Sequence, residues 1–315
     1  MAVRVVEDWL NACAGCEISI LNIGDPLLDI LPLLEFHHMT ALVDHKFFGQ
    51  LGDKTDMEIP EADVAIVSGG VRNEEHKHEL EEIRKKAKVL IALGSCAAHG
   101  GVPAQANMWK NEDVFEKVFR QCPSTEPGPD PSDPNVPKWT PTCMAVDEVV
   151  KVDITIPGCP PHPDWIVDAL TALLEGKTDW KLAERSVCDT CPVIREQKSG
   201  GGAVKRWLTN MEFNPEEGLE KMRCINEQGF LCMGPVTLAG CAGKEGVPRC
   251  IQARTPCRAC FGPIRKGANP MVDMMGALTS VGLDAKSLLD RRAMMNRYVG
   301  GHNMLRPLPA RPVRR

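Results

Sequence analysis

Residues 89–101 read Val89-Leu90-Ile91-Ala92-Leu93-Gly94-Ser95-Cys96-Ala97-Ala98-His99-Gly100-Gly101. An unbroken apolar run that stops at a glycine is the pattern of a strand buried on both faces, as in the middle of a parallel sheet. The charged stretch before it, Glu74–Lys88, sets Leu80, Ile83 and Ala87 at helical spacing. Earlier still, Asp63–Ser68 is apolar and β-branched and runs into the turn signal Gly69-Gly70. Val3–Val6, Met39–Val43 and Val152–Ile156 are further strand candidates, and Pro163–Glu175 reads as a helix with proline at its start. Strands alternating with helices predict an α/β fold on a parallel sheet.

The chain has 315 residues, enough for two domains, and the alternation fades near Trp180, which divides it into residues 1–180 and 181–315. The stretch between Cys122 and Cys143 carries seven prolines and reads as an extended excursion. From Cys188 on, apolar periodicity is weak and eight cysteines crowd into the span ending at Cys260. The second part is therefore expected to be mostly irregular or helical, with too little continuous core to fold on burial alone, and stapled by metal. The tail Arg306–Arg315 reads as an extended, solvated end.

A net charge of -5 and a single tyrosine give no basis for binding nucleic acid. No apolar run approaches the ~20 residues that span a bilayer. The opening residues, 1–8, show neither a signal-peptide core nor twin arginine, so a cytoplasmic protein away from the membrane is expected. In that compartment 14 cysteines point to metal before disulfides.

Four of these cysteines fall at informative places. Cys13 and Cys16 form C-x2-C after the first strand, Cys96 follows the VLIAL run, and Cys159 follows the Val152 strand within Pro157-Gly158-Cys159-Pro160-Pro161. Open α/β sheets build sites at the carboxyl ends of their strands. Segments distant in sequence would thus deliver four thiolates to one rim, as a [4Fe–4S] cluster requires. C-x2-C alone reads equally as a redox dithiol or half a zinc site. Further on come Cys188-x2-Cys191, Cys224, Cys232, Cys241, Cys250 and Cys257-x2-Cys260. These eight suit two four-thiolate sites, and their spacing is compatible with iron–sulfur clusters or zinc.

Taken in order, Cys13-Ala14-Gly15-Cys16, Gly94-Ser95-Cys96-Ala97 with Gly100-Gly101, Pro157-Gly158-Cys159-Pro160-Pro161, Cys232-Met233-Gly234-Pro235-Val236-Thr237 followed by Cys241, and Cys257-x2-Cys260-Phe261 resemble the motifs of [NiFe] hydrogenase small subunits over most of the chain. The resemblance implies a flavodoxin-like domain followed by a two-cluster domain. It implies three [4Fe–4S] clusters: proximal on Cys13, Cys16, Cys96 and Cys159; medial on Cys241, Cys250, Cys257 and Cys260; distal on Cys188, Cys191, Cys224 and Cys232. It also implies electron transfer with no catalytic centre on this chain. A partner large subunit would split hydrogen at its nickel–iron centre, and electrons would pass along the clusters to an acceptor.

Three departures from many relatives matter. They have a histidine where this chain has Cys188, proline where it has Cys250, and threonine where it has Ala14. An all-cysteine ligand set implies low potentials throughout. Loss of the threonine implies another proton route. Relatives that reduce coenzyme F420 carry a ferredoxin-type cysteine run, NAD-linked ones are short, and the related complex I subunit has adjacent cysteines; this chain has none of these features. It is most similar to the F420-non-reducing class linked to heterodisulfide reductase. That implies a large subunit, an iron–sulfur acceptor (delta) subunit and heterodisulfide reductase as partners.

Some residues stand outside the motifs. Cys122 and Cys143 read as packed or free thiols. Glu17 reads as a helix cap, with proton relay as the alternative. His99 and His162 read equally as donors to cluster sulfur or as packing residues, and Met271, Met274 and Met275 as packing residues. Rival functions are a zinc-stapled structural protein, a stand-alone carrier, or a subunit of another cytoplasmic hydrogenase class. Metal analysis separates the first from the rest: the expected outcome is about 12 irons per chain, from three four-iron clusters, without stoichiometric zinc.

Overall fold

The computed structural model describes residues 2–40, 42–130, 132–196, 199–244 and 246–308. Of the tail read as an extended end, residues 309–315 lie outside this set. The chain runs β1 (Val3–Trp9), α1 (Gly15–Leu21), α2 (Asp25–Ile30), β2 (Leu34–Met39), β3 (Ala62–Ser68), β4 (Val71–Asn73), α3 (Glu74–Lys86), β5 (Ala87–Leu93), α4 (Gly94–His99), α5 (Asn111–Phe115), β6 (Trp139–Met144), β7 (Ile154–Ile156) and α6 (Pro163–Leu174). It continues through β8 (Gly202–Ala203), α7 (Arg249–Gln252), α8 (Pro270–Ser280), β9 (Leu283–Asp284) and α9 (Arg291–Met295).

Strands β2, β1, β3, β5 and β7 lie side by side in that order, and every pair is parallel. This is the flavodoxin-like doubly wound order, which opens a crevice where the connections diverge. The strands bury both faces. Val64, Ile66, Ile91 and Leu93 pack with Ile20 of α1 and Ile166 of α6, whereas Ala65, Val67, Leu90 and Ala92 pack with Leu80 and Ile83 of α3. Alternate residues face opposite layers, so a run apolar at every position is what two covering layers demand. Helix α3 begins on Asn73, whose side chain accepts from the His76 amide at 2.7 Å. At its end Arg84 reaches Asp153 at 2.7 Å, and Asp153 also accepts from the Leu90 amide at 2.9 Å, which ties helix, β5 and the entry to β7.

Several boundaries differ from the sequence reading. β1 continues beyond Val6 through Glu7 and Asp8, both buried, a charged pair that local pattern treats as an end. The second strand is Leu34–Met39, not Met39–Val43. It is an edge strand paired only with β1, so it lacks an apolar run, and the residues after Met39 turn back, with the Leu42 and Val43 amides bonded to the Met39 carbonyl. The proline-rich excursion ends in β6, which pairs antiparallel with β4 and sets the Arg72 guanidinium 4.2 Å from the Trp139 ring centroid.

The second part holds a core that apolar periodicity did not reveal. Phe230, Met233, Met274, Leu278 and Met295 lie buried in one cluster with Val187, Ile225 and Ile251. These residues come from short helices and loops rather than from one periodic element, which hid the core from periodicity. The second part is also seated on the sheet's carboxyl edge. The Gly300 and Gly301 amides bond the His99 carbonyl at 3.1 and 2.9 Å, and the Trp165 indole donates to the Gly240 carbonyl at 2.7 Å. No helix among the described residues is long and apolar enough to cross a membrane.

Leu80 is fully buried between α3 and the sheet, whereas Leu28 is 69% exposed. Leu80→Ala should cost about 2–5 kcal/mol of stability and Leu28→Ala less than about 0.5 kcal/mol, read from denaturant midpoints.

Candidate functional site

Every cysteine is a free thiol. The first four gather at the carboxyl edge of the sheet. Cys13 lies between β1 and α1, Cys16 in the first turn of α1, Cys96 in α4 directly after β5, and Cys159 in the loop after β7. Cys16 Sγ is 3.7 Å from the Leu93 carbonyl oxygen. A methyl group on Gly94 would overlap the Cys16 sulfur, and one on Gly101 the Cys96 sulfur; both glycines have positive φ, +85° and +56°. Only residues without a side chain let the backbone cradle these sulfurs so closely. A methyl on Gly15 would stand 3.4 Å from Cys13 Sγ and 3.7 Å from Pro160 Cβ, so Cys13 abuts the loop that carries Cys159.

Burial first, then the other thiols, push the Cys96 thiol up to about 12; Cys16 is raised further, by burial, Glu17, Cys96, Cys159 and Cys13. Thiols so placed resist ionising together. A thiolate-bound cationic centre removes that conflict, so the quartet fits a metal cluster and does not suit four bare thiolates. Cys13 and Cys159 are exposed, which leaves this rim open on the side away from the sheet.

Cys241, Cys250, Cys257 and Cys260 line one cavity of about 200 Å³, together with Cys159, Tyr298 and Phe261. Burial pushes the Cys257 thiol up to about 12, opposed by the Ala259 amide and the Thr237 hydroxyl. The Arg249 amide is likewise directed at Cys241 and favours its thiolate against burial. Cys188 and Cys224 line a third, more open cavity, and burial followed by Cys191 and Cys224 pushes the Cys188 thiol up to about 12. A methyl on Gly234 would stand 3.1 Å from Cys188 Sγ and 3.7 Å from Cys232 Sγ. Cys232 faces both groups: its sulfur accepts from the Cys257 amide at 3.2 Å. Among the described residues no three or more His, Cys, Asp or Glu close around a single metal ion.

The three groups form a row. The Ser95 hydroxyl accepts from the Gly158 amide at 3.1 Å and donates to the Cys260 carbonyl, so it joins the first group to the second. The Cys257 amide on Cys232 joins the second to the third. Asn226 holds Cys232 from both sides: its carbonyl accepts from the Cys232 amide at 2.8 Å and its amide donates to the Cys232 carbonyl at 3.0 Å. Ser95, Asn226 and Tyr298 were not singled out from sequence. Ser95 sits inside the quoted Gly-Ser-Cys motif; nothing local marks Asn226 or Tyr298.

The remaining candidates fall as follows. Glu17 makes no cap; it is buried and its carboxylate accepts from the Ser68 hydroxyl at 2.6 Å. His99 is half-buried with its ring against Gly262, and desolvation, then His302, pushes its imidazole down to about 4. His162 caps α6 by accepting from the Asp164 amide at 3.2 Å and borders the second cavity. Met274 is core, with Met271 and Met275 packed against it. Cys143 is buried under Gly70, with its thiol pushed up to about 11 by burial, and Cys122 lies 3.0 Å from the Ser124 hydroxyl.

The family described as NADH ubiquinone oxidoreductase, 20 Kd subunit, matches residues 13–173. The chain is 37% identical over 299 residues to a subunit of the F420-non-reducing vhu hydrogenase of Methanocaldococcus jannaschii, covering 95% of each chain. It is 34% identical over 281 residues to the corresponding F420-non-reducing hydrogenase polypeptide of Methanothermobacter thermautotrophicus, covering 88% of this chain and 84% of that one. A crystal structure of NAD+-reducing [NiFe]-hydrogenase in the H2-reduced state matches with a TM-score of 0.51 and 33% identity, over 56% of this chain and 93% of that chain. The [NiFeSe] hydrogenase from Desulfovibrio vulgaris Hildenborough shares the fold, with a TM-score of 0.54 at 20% identity over 85% of this chain and 95% of that chain.

Asn226→Leu removes both bonds to the Cys232 backbone at little change in volume. It should cost about 2–4 kcal/mol in thermal or denaturant unfolding, and iron analysis should show about four irons fewer per chain.

Proposed function

Because the chain belongs to the [NiFe] hydrogenase small-subunit family, where it stands with polypeptides of the F420-non-reducing hydrogenases, we propose that it carries electrons from a hydrogen-splitting large subunit through three [4Fe–4S] clusters to an iron–sulfur acceptor (delta) subunit, and onward to heterodisulfide reductase in the cytoplasm. The observation that carries this reading is the row of three cysteine groups, joined by Ser95 at one junction and by the Cys257 amide at the other. On this reading Cys13, Cys16, Cys96 and Cys159 hold the proximal cluster, Cys241, Cys250, Cys257 and Cys260 the medial, and Cys188, Cys191, Cys224 and Cys232 the distal. Residues 1–180 and 181–315 form the corresponding domains.

Bound clusters supply one-electron redox chemistry; the chain supplies spacing, burial and charge. Backbone amides aimed at Cys232, Cys241 and Cys257 favour their thiolates. The open rim at Cys13 and Cys159 is flanked on α1 by Ile18 and Leu21, which are exposed, an apolar margin suited to the large subunit. Histidine-free ligand sets keep the potentials low, which suits a low-potential acceptor.

Cys250 provides the sharpest test. It is the second residue of α7, which follows Pro248, so a proline there is compatible with the helix start. In the assembled complex Cys250→Pro should leave the medial site one thiolate short and yield a three-iron cluster of higher potential. EPR of the oxidised variant should show the three-iron signal, while hydrogen-driven dye reduction persists. An unchanged spectrum and iron content would remove Cys250 from the ligand set, and the same signal at full strength in the wild type would do so as well.

A further inference from the structure

Resting on the electron-transfer reading above, we infer that a groove over the medial–distal junction, lined by Lys205, Arg206, Arg258 and Arg297, docks an acidic electron-carrier protein and gives electrons an exit that bypasses the distal end.

The groove has a volume of about 540 Å³ and Asp290 is the one carboxylate on its wall. Asp290 is 3.7 Å from Arg206. Lys205 stands 5.3 Å from the centroid of the Phe230 ring and, among the described residues, neither Arg258 nor Arg297 has an ion-pair partner. A chain of net charge -5 thus concentrates cations here. Unpaired guanidinium groups are built to take carboxylates in pairs, and a local field opposite to the molecule's net charge steers an acidic partner to one place. Trp207 and Leu289, 76% and 87% exposed, flank the cations. An exposed tryptophan beside arginines is the composition of a protein-binding hot spot, and these side chains widen the contact beyond what a small anion would use.

The floor explains why the partner should be redox-active. It is formed by Met233 and Cys257, both buried. Cys257 contributes a thiol to the medial group, and its amide bonds the sulfur of Cys232 in the distal group. Cys257 lines both this groove and the cavity of the medial cysteines, so a carrier seated in the groove lies against a medial ligand. The carrier is the oxidant: it gains one electron, the medial centre loses one, and no bond is made or broken.

The test uses the assembled hydrogenase complex and, as probe, a [2Fe–2S] ferredoxin of strongly negative net charge. Affinity is measured by biolayer interferometry across ionic strength, beside hydrogen-driven ferredoxin reduction. The double variant Lys205→Glu/Arg206→Glu, and separately Trp207→Ala, should weaken binding tenfold or more, and charge reversal should flatten the salt dependence. Lys205→Arg/Arg206→Lys should retain it. Methyl viologen reduction and iron content should be unchanged in all of them. Unchanged affinity in the charge-reversed variant, absence of binding by the wild type at low salt, or displacement of the ferredoxin by equimolar inorganic pyrophosphate would overturn the docking site. A wild-type complex without iron in the cysteine groups would instead overturn the electron-transfer reading, independently of the binding result.

Discussion

Thiols that face one another inside a desolvated site cannot all become thiolates unless positive charge joins them. Around Cys16 and Cys96 burial, reinforced by the neighbouring thiols, drives the thiol pKa far above its ordinary value. The same holds for Cys188 and Cys257, both pushed up to about 12 with burial as the largest cause. The arrangement occurs at three linked cysteine groups, and the conflict among their thiols is the kind that a bound cationic centre relieves. The parallel sheet, the glycines with positive φ and the irregular second half become intelligible as ways of bringing distant cysteines to shared space without crowding their sulfurs.

Spacing between the groups depends on few contacts. Ser95 belongs to the turn that also carries Cys96, and its hydroxyl touches both the Gly158 amide and the Cys260 carbonyl. One side chain thus fixes two loops of the first group against the second. Cys257 does the same at the next junction with its own backbone. Such short links set the separation between the cysteine groups more tightly than packing of whole domains could, because each is made by residues adjacent to, or identical with, the cysteines themselves.

The sheet was legible where burial on both faces left an apolar run, as at Ala62–Ser68 and Ala87–Leu93, and where a cysteine followed a strand end. It was illegible at β2, whose edge position admits Glu35, His37 and His38. The core of the second half gave no sequence signal because it is assembled from Phe230, Met233, Met274 and Leu278 on separate short elements. No period connects them; only the chain's return through loops does. Cysteine spacing marked candidate groups, whereas the contact of Cys232 with the neighbouring group through the Cys257 amide is a matter of three-dimensional proximity. Asn226, which positions Cys232 from six residues away, has no local signature.

The buried carboxyls on β1 complete the electrostatic account. Glu7 is fully buried, and burial, followed by the charges of Glu17 and Asp8, pushes its carboxyl up to about 8. Near neutral pH it therefore keeps a proton that the unfolded chain releases at an ordinary carboxylate value. The folded state binds more protons in that interval, so this residue's contribution to stability falls as pH rises from the unfolded value through about 8. The strand could have carried an apolar residue at no such cost. A carboxyl that stays neutral behind Glu17, itself next to Cys16, adds no negative charge behind a rim lined by four cysteines. The same rule that sets the buried thiols against one another, that like charges cannot share a dry site, thus governs the acids packed behind them.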